Sequence, residues 1–214
     1  MIYEAVGSTE PVRQGDIFRN IPRVDFSLSS LAIIDDKDDE PKEMEWRDAL
    51  RSSPGAPISA VLAVKPVTAI VITQNCDAVR GQTLSLCQIE DYLVATNKTT
   101  SPPRTPKAWQ SLLMSMSRQN PRFFYLPTDA GFGLDSRLAV DFRVVLPVPR
   151  LDLESMRDLR IVRLNQVARE HFREALSHFF RRYAFNEWYP LTHEEFTAYG
   201  EQAGEQVPAF DWQK

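Results

Sequence analysis

The stretch Val67–Glu90, VTAIVITQNCDAVRGQTLSLCQIE, decides how the rest of the chain is read. Ala69–Ile72 is a short apolar run rich in β-branched residues, and Leu84, Leu86 and Gln88 alternate with Thr83, Ser85 and Cys87. The first pattern belongs to a strand buried on both faces, the second to a strand of period two. Between them Asn75, Asp77 and Gly81 supply turn chemistry. The spacing therefore predicts a hairpin at the centre of an α+β domain.

Outward from this hairpin, Val12–Phe18 reads as a first strand entered through a Gly-Asp turn, with Val24, Phe26 and Leu28 continuing its alternation. Leu31–Ile34 prolongs or follows it. From Asp35 to Pro57 the composition turns acidic, passes through weak helical character over Glu43–Arg51 and ends in Ser-Ser-Pro-Gly-Ala-Pro, which predicts an insertion or loop over 35–57. A second insertion is expected over 95–122, a proline-rich loop followed by helical spacing at Trp109, Leu112, Leu113 and Met116. Phe123–Leu126 and Leu138–Pro147 read as strands, the latter with Val140, Phe142, Val144 and Leu146 on one face. Arg160–Leu164 reads as a last strand. Asn165 then caps a helix whose stripe runs through Ala168, Phe172, Ala175, Leu176, Phe179, Phe180 and Tyr183. The single domain expected is 1–184, followed by an acidic tail over 185–214 with one short helix capped by Thr192.

Composition excludes some classes. At 214 residues the chain can bury a sizeable core, and 43% hydrophobic with 25% charged residues is ordinary for a globular protein. No apolar run reaches the roughly 20 residues that a bilayer span needs. The N-terminal stretch has no basic segment leading into an apolar one, and two cysteines make no disulfide framework. The expectation is a cytoplasmic protein without membrane contact. The net charge of −4 hides a segregation: acidic residues cluster from Asp35 to Glu45 and in the tail, while nine arginines lie between Arg143 and Arg182. Such a pattern is read either as solvated faces with local ion pairs or as a nucleic-acid surface with a built-in competitor.

Two sets of residues are candidates for chemistry or binding. Gln74, Asn75, Cys76 and Asp77 follow a strand with a polar cluster, where binding loops commonly sit. The plain alternative is a turn in which Asn75 and Asp77 bond local backbone. Cys76 would be a nucleophile if a histidine approached it, or a metal or redox partner of Cys87 across the hairpin. The spacing of the two cysteines matches no common zinc pattern, and of three histidines His171 and His178 sit at the edge of the helix stripe. No metal and no cofactor is expected. Gly131-Phe132-Gly133 is a turn without the context of a phosphate loop, and Pro102-Pro103-Arg104 is either a linker or a partner-binding segment. The late aromatics, Phe179 to Tyr189, are either core or a stacking platform for bases.

The order QGDIF, K-P-x-x-x-I-V-I-T, a polar turn and L-S-L-C-Q-I resembles the small barrel of MazF/PemK-type toxins, and VDFRVVLP followed by RIVRLN and an amphipathic helix is similar to that family's ending. The resemblance covers about half the chain. It implies a small SH3-like barrel with a long C-terminal helix, a homodimer, and a toxin–antitoxin or phage-defence setting with single-stranded RNA or a protein as partner. Those toxins cut RNA with an arginine near the R-P position and a Thr or Ser ending a later strand; Lys65 and Glu90 stand at these places here. Lysine lacks the planar fork that grips phosphate, and glutamate repels it. The expectation is therefore an interaction or regulatory module that binds RNA or a protein without cutting it. The alternatives are a metal-independent endoribonuclease using Lys65 and Glu90 with Asp16 or Arg13, and an enzyme or metal site centred on Cys76.

Overall fold

The computed structural model describes residues 2–35, 38–119 and 121–181; the tail over 185–214, with His193, lies outside them. Ten strands are described: β1 (Tyr3–Glu4), β2 (Asp16–Val24), β3 (Leu31–Asp35), β4 (Asp38–Met44), β5 (Ser59–Val61), β6 (Val64–Val71), β7 (Thr83–Asp91), β8 (Phe123–Leu126), β9 (Leu138–Pro149) and β10 (Arg160–Leu164). The helices are α1 (Trp46–Ser52), α2 (Asn75–Ala78), α3 (Tyr92–Ala95), α4 (Pro106–Gln119), α5 (Arg150–Ser155) and α6 (Gln166–Arg181). The class is α+β. None of the helices among the described residues is long and apolar enough to cross a membrane.

The expected hairpin is β6–β7, with Ile70 opposite Cys87 and Val71 opposite Leu86. Its turn contains α2, and Gly81 is required there because a Cβ would stand 2.9 Å from the Asp77 carbonyl oxygen. Ala69, Ile70 and Val71 have no exposed surface. They divide between two cores by parity: Ile70, Cys87, Ile89 and Ile17 face one, while Ala69, Val71, Leu84, Leu86 and Phe18 face the other. The first core is covered by α6, where Phe172 lies 5.1 Å from Phe124 and 5.7 Å from Phe142, ring centroid to ring centroid. The second is closed by Val12, Ala78 of α2 and Leu153 of α5.

The large sheet has the order β1-β10-β2-β6-β7-β9-β8, antiparallel throughout. Among the described residues no ladder joins β1 to β8, so the closed SH3-like barrel expected from the sequence is not found. The two edges meet through side chains instead. Tyr3 donates a 2.8 Å hydrogen bond to the Pro127 carbonyl just past β8, and its ring packs edge-on against Phe132.

Three irregularities of register decide which residues share a face. In β2, one extra residue lies between Phe18 and Ile21, where Asn20 takes φ 57°, and both apolar neighbours thereby reach the second core. In β10, one extra residue between Arg160 and Val162 puts Arg160 and Arg163 on the same side. In β9, Cys87 lies opposite Val145 but Ile89 opposite Val140, so β9 carries three extra residues. That odd number reverses the face. Val140 and Phe142 join the first core, and Leu146 and Val148 the second, which corrects the expectation of a single face.

The stretch expected as an insertion or loop over 35–57 holds a strand, β4, and a helix, α1. β3 and β4 pair as a hairpin, β5 adds on the other side, and α1 covers this three-stranded sheet with a small core of Leu31, Ile33 and Ala49 against Met44, Trp46 and Ile58. Phe26 and Leu28 do not continue the first strand. The Ser27–Ser30 turn reverses the chain, with Ser30 N–H bonded to the Ser27 carbonyl, and leaves both side chains exposed.

The helix start is as read: Asn165 Oδ1 accepts from Ala168 N–H at 2.9 Å. Substituting Asn165→Ala is expected to cost about 1 kcal/mol, measured as a shift of the urea midpoint at constant slope. Asp16→Asn is expected to cost about 3–5 kcal/mol, because it leaves the buried Arg160 guanidinium without its counter-charge and Arg163 with Glu10 alone. A loss below about 1 kcal/mol would show that the ion cluster around Asp16 does not hold the fold.

Candidate nucleic-acid interface

The Arg13–Asp16 turn is an anchor. Asp16 is completely buried and accepts from both Arg163 Nε and Arg163 NH2, from Arg160 NH1 at 2.9 Å and from the Arg13 backbone N–H at 2.9 Å. The same two arginines donate to the carbonyls of Gly7, Glu10 and Pro11. Burial works against the Arg163 charge, yet Asp16 and then Glu10 raise its pKa above the ordinary value. Glu10 is held below the usual carboxylate range by the Gly7 N–H and then by Arg163. Asp16 is thus closed off from any ligand, and Arg13 contributes its backbone while its side chain is exposed.

The Gln74–Asp77 cluster opens α2. Asn75 Oδ1 accepts from the Gln14 N–H at 3.0 Å, and the buried Gln14 side chain bridges the Ile72 carbonyl and Arg173 Nε. The Asp77 carbonyl takes the N–H groups of Arg80 and Gly81. Gln74, Cys76 and Asp77 are exposed. Cys76 and Cys87 do not pair: Cys87 is buried in the first core, where burial and then the Asp141 charge push its thiol up to about 12. Among the described residues no group of three or more His, Cys, Asp and Glu stands together to hold a metal ion. His171 and His178 are exposed on α6, and neither serves Cys76 in any contact the described residues make.

Lys65 and Glu90 lie on the same face of the large sheet, which carries the second core at one end and turns polar at the other. Lys65 is opposite Arg23 in the β2–β6 ladder. Its ammonium lies 3.3 Å from Asp25 Oδ2, and Arg23 grips Asp25 Oδ1 through Nε at 2.7 Å and NH2 at 2.6 Å. Arg23 NH1 also reaches across β6 to Gln88. Arg23 first, and Lys65 with it, holds the Asp25 carboxyl below its usual range against the opposing effect of burial. Glu90 belongs to a different cluster. Its charge joins that of Asp141 in raising the pKa of Arg122, whose hydrogen bonds to the buried Asp141 are the main cause. The structure thus puts Lys65 and Glu90 on one face, with Lys65 two residues beyond the position opposite Glu90, and surrounds each with other charges.

The same face leads to a cavity. Glu90 pairs with Ala139 across β7–β9, and Ala139 with Tyr125 across β9–β8. Beyond Tyr125 lies α4, started by Thr105, whose Oγ1 accepts from Ala108 N–H. Between them is a cavity of about 660 Å³ lined by Arg104, Thr105, Trp109, Leu113, Tyr125 and Arg137, among others. Its volume is in the range of small-ligand sites. The Arg137 guanidinium sits 4.2 Å above the Trp109 ring, and Tyr92 ties the wall together against Tyr125 at 5.2 Å and Trp109 at 6.4 Å. Neither Arg104 nor Arg137 forms a salt bridge among the described residues. No family model, no curated protein and no solved structure matches the chain.

Sequence reading treated Trp109 as helix stripe and Arg104 as loop. The signal that connects them is the β8–β9 pairing, which brings Tyr125 and Arg137 alongside.

The two thiols give a direct check on this arrangement. With a maleimide at neutral pH, Cys76 is expected to label within minutes in the folded protein and Cys87 only after denaturation. Equal labelling of both in the native state, read by peptide mass, would contradict the burial of Cys87.

Proposed function

We propose that the protein is a binding module for single-stranded RNA that holds the strand without cutting it. The observation that carries this is the cavity under α4, where two guanidinium groups that form no salt bridge among the described residues stand beside the rings of Trp109 and Tyr125. Aromatic faces stack bases irrespective of sequence, and arginine supplies both the phosphate contact and a cation–π partner. A double helix cannot offer its bases to such a slot, whereas an unpaired strand can. The resemblance to MazF/PemK-type toxins supports the same class of ligand, and on this reading the open curled sheet is a departure from their barrel. Lysine and glutamate at the places where those toxins carry arginine and Thr or Ser support binding over cleavage, since lysine lacks the planar fork that grips a phosphoryl charge and a carboxylate repels it.

The test is retention of an unstructured RNA by the purified chain, followed over a range of salt and with the RNA examined for cleavage. The expected outcome is salt-sensitive retention of intact RNA, with and without divalent metal. Trp109→Ala is expected to weaken it by about 1–3 kcal/mol, the usual contribution of a stacked base, and Arg137→Ala to weaken it and flatten the salt dependence. Cleavage that disappears in Lys65→Ala would overturn this reading in favour of an endoribonuclease. Equal retention by wild type and Trp109→Ala would overturn the assignment of the cavity.

A further inference from the structure

The cavity is one end of a row. Tyr125, Ala139 and Glu90 are register neighbours on successive strands, and Gln88, two residues along the same face of β7, is bonded to Arg23. The same face continues over β6 and β2, where Lys65 faces Arg23 two residues further along β6 than the position opposite Glu90. From β8 to Lys65 on β6 the path is three strand spacings across and two residues along, roughly 16 Å, which is about five nucleotides at the ~3.4 Å charge spacing of a stacked strand.

At the far end the arginine fork and the lysine converge on a single anion, the Asp25 carboxylate, which comes from the exposed loop that follows β2. Fork geometry that grips a carboxylate grips a phosphate equally well. Both pairs are open to solvent, with Asp25 at 43% and Lys65 at 65% side-chain exposure. Exposed pairs of this kind contribute little, so a competing anion displaces them at small cost. Between the two ends lie Glu90 and Asp141, and Arg122 beside them offsets part of their charge.

Resting on the RNA-binding reading, we infer that Arg23 and Lys65 form a second, phosphodiester-binding subsite on the same face as the cavity, and that Asp25 occupies it as an internal competitor until a strand long enough to span both displaces it. The chemistry is that of a backbone phosphate, with no base read there.

The experiment uses the full chain carrying Asp25→Asn and an oligouridylate of about eight nucleotides, within the usual site sizes of single-strand binders, with a dinucleotide beside it. The substitution is expected to raise affinity for the longer strand several-fold, to raise it less for the dinucleotide, and to steepen the salt dependence by about 0.7, the slope of one phosphate contact to a single strand. Adding Lys65→Gln to Asp25→Asn is expected to remove the gain. Unchanged or weaker binding of the longer strand by Asp25→Asn, or a gain that survives Lys65→Gln, overturns the subsite. If Trp109→Ala weakens binding while Asp25→Asn does nothing, the subsite fails and the cavity stands. If wild type and Asp25→Asn both fail to retain RNA, both readings fall.

Discussion

One carboxylate with no exposed surface, that of Asp16, holds the architecture in register. Taking an ion out of water costs several kcal/mol, and only good geometry with every lone pair satisfied offsets it. Here two arginines of β10 and one backbone N–H converge on it, and the arginines' remaining donors go to the carbonyls of the incoming N-terminal segment. The neighbours Gly15 and Gln14 continue the tie. Gly15 N–H bonds the Val71 carbonyl and its own carbonyl takes Leu164 N–H, so this one residue joins the last strand to the central hairpin. Its φ of +89°, with space for a Cβ only 3.3 Å from that of Leu164, makes glycine the fitting residue. The N-terminal segment and β10 are thus fixed to the central hairpin within four consecutive residues.

The ion cluster explains the bulge in β10. Arg160 and Arg163 are separated by an odd number of positions, and a regular strand would send them to opposite faces. The extra residue at Ile161 brings both to Asp16. The three-residue irregularity in β9 does comparable work for the apolar side chains, because it lets one strand serve the first core with Val140 and Phe142 and the second with Leu146 and Val148. A sheet whose central strands are buried on both faces needs such crossings at its margins, where one layer ends and another begins.

These crossings also mark the limit of what could be read from the chain. The hairpin and α6 were legible because their signals are local: a β-branched run, turn residues, Asn165 before a stripe of period 3.6. The face of β9 was not, since a reversal of parity leaves no trace in an alternating apolar pattern. Over 35–57 the weak helical character of Glu43–Arg51 points to α1, but β4 is hidden, because its acidic residues mask a strand whose apolar support, Leu31 and Ile33, lies in the neighbouring strand. Asp16 was assigned to a site because its partners stand 144 and 147 positions away. An isolated Gly-Asp looks the same whether the carboxylate faces a ligand or a buried guanidinium. Lys65 and Glu90 share a face, as a site would require, but Asp25, which pairs with Lys65, and Arg122, which Glu90's charge reaches, come from loops with no spacing signal.

The cavity differs in kind from the anchored end of the fold. Around Asp16 the polar groups are buried and satisfied within the chain, whereas Arg104 and Arg137 are exposed and form no salt bridge among the described residues. Side chains that hold a fold tend to be satisfied by it, and side chains that hold a ligand must keep donors in reserve. Trp109 and Tyr125 follow the same logic. Each is only half-buried, propped by the fully packed Tyr92, and each is left a surface on the cavity. The sheet edge at β8 is where these conditions coincide. There the double-sided burial of the central strands has ended, α4 covers the face incompletely, and the space between helix and strand is lined by rings and guanidinium groups.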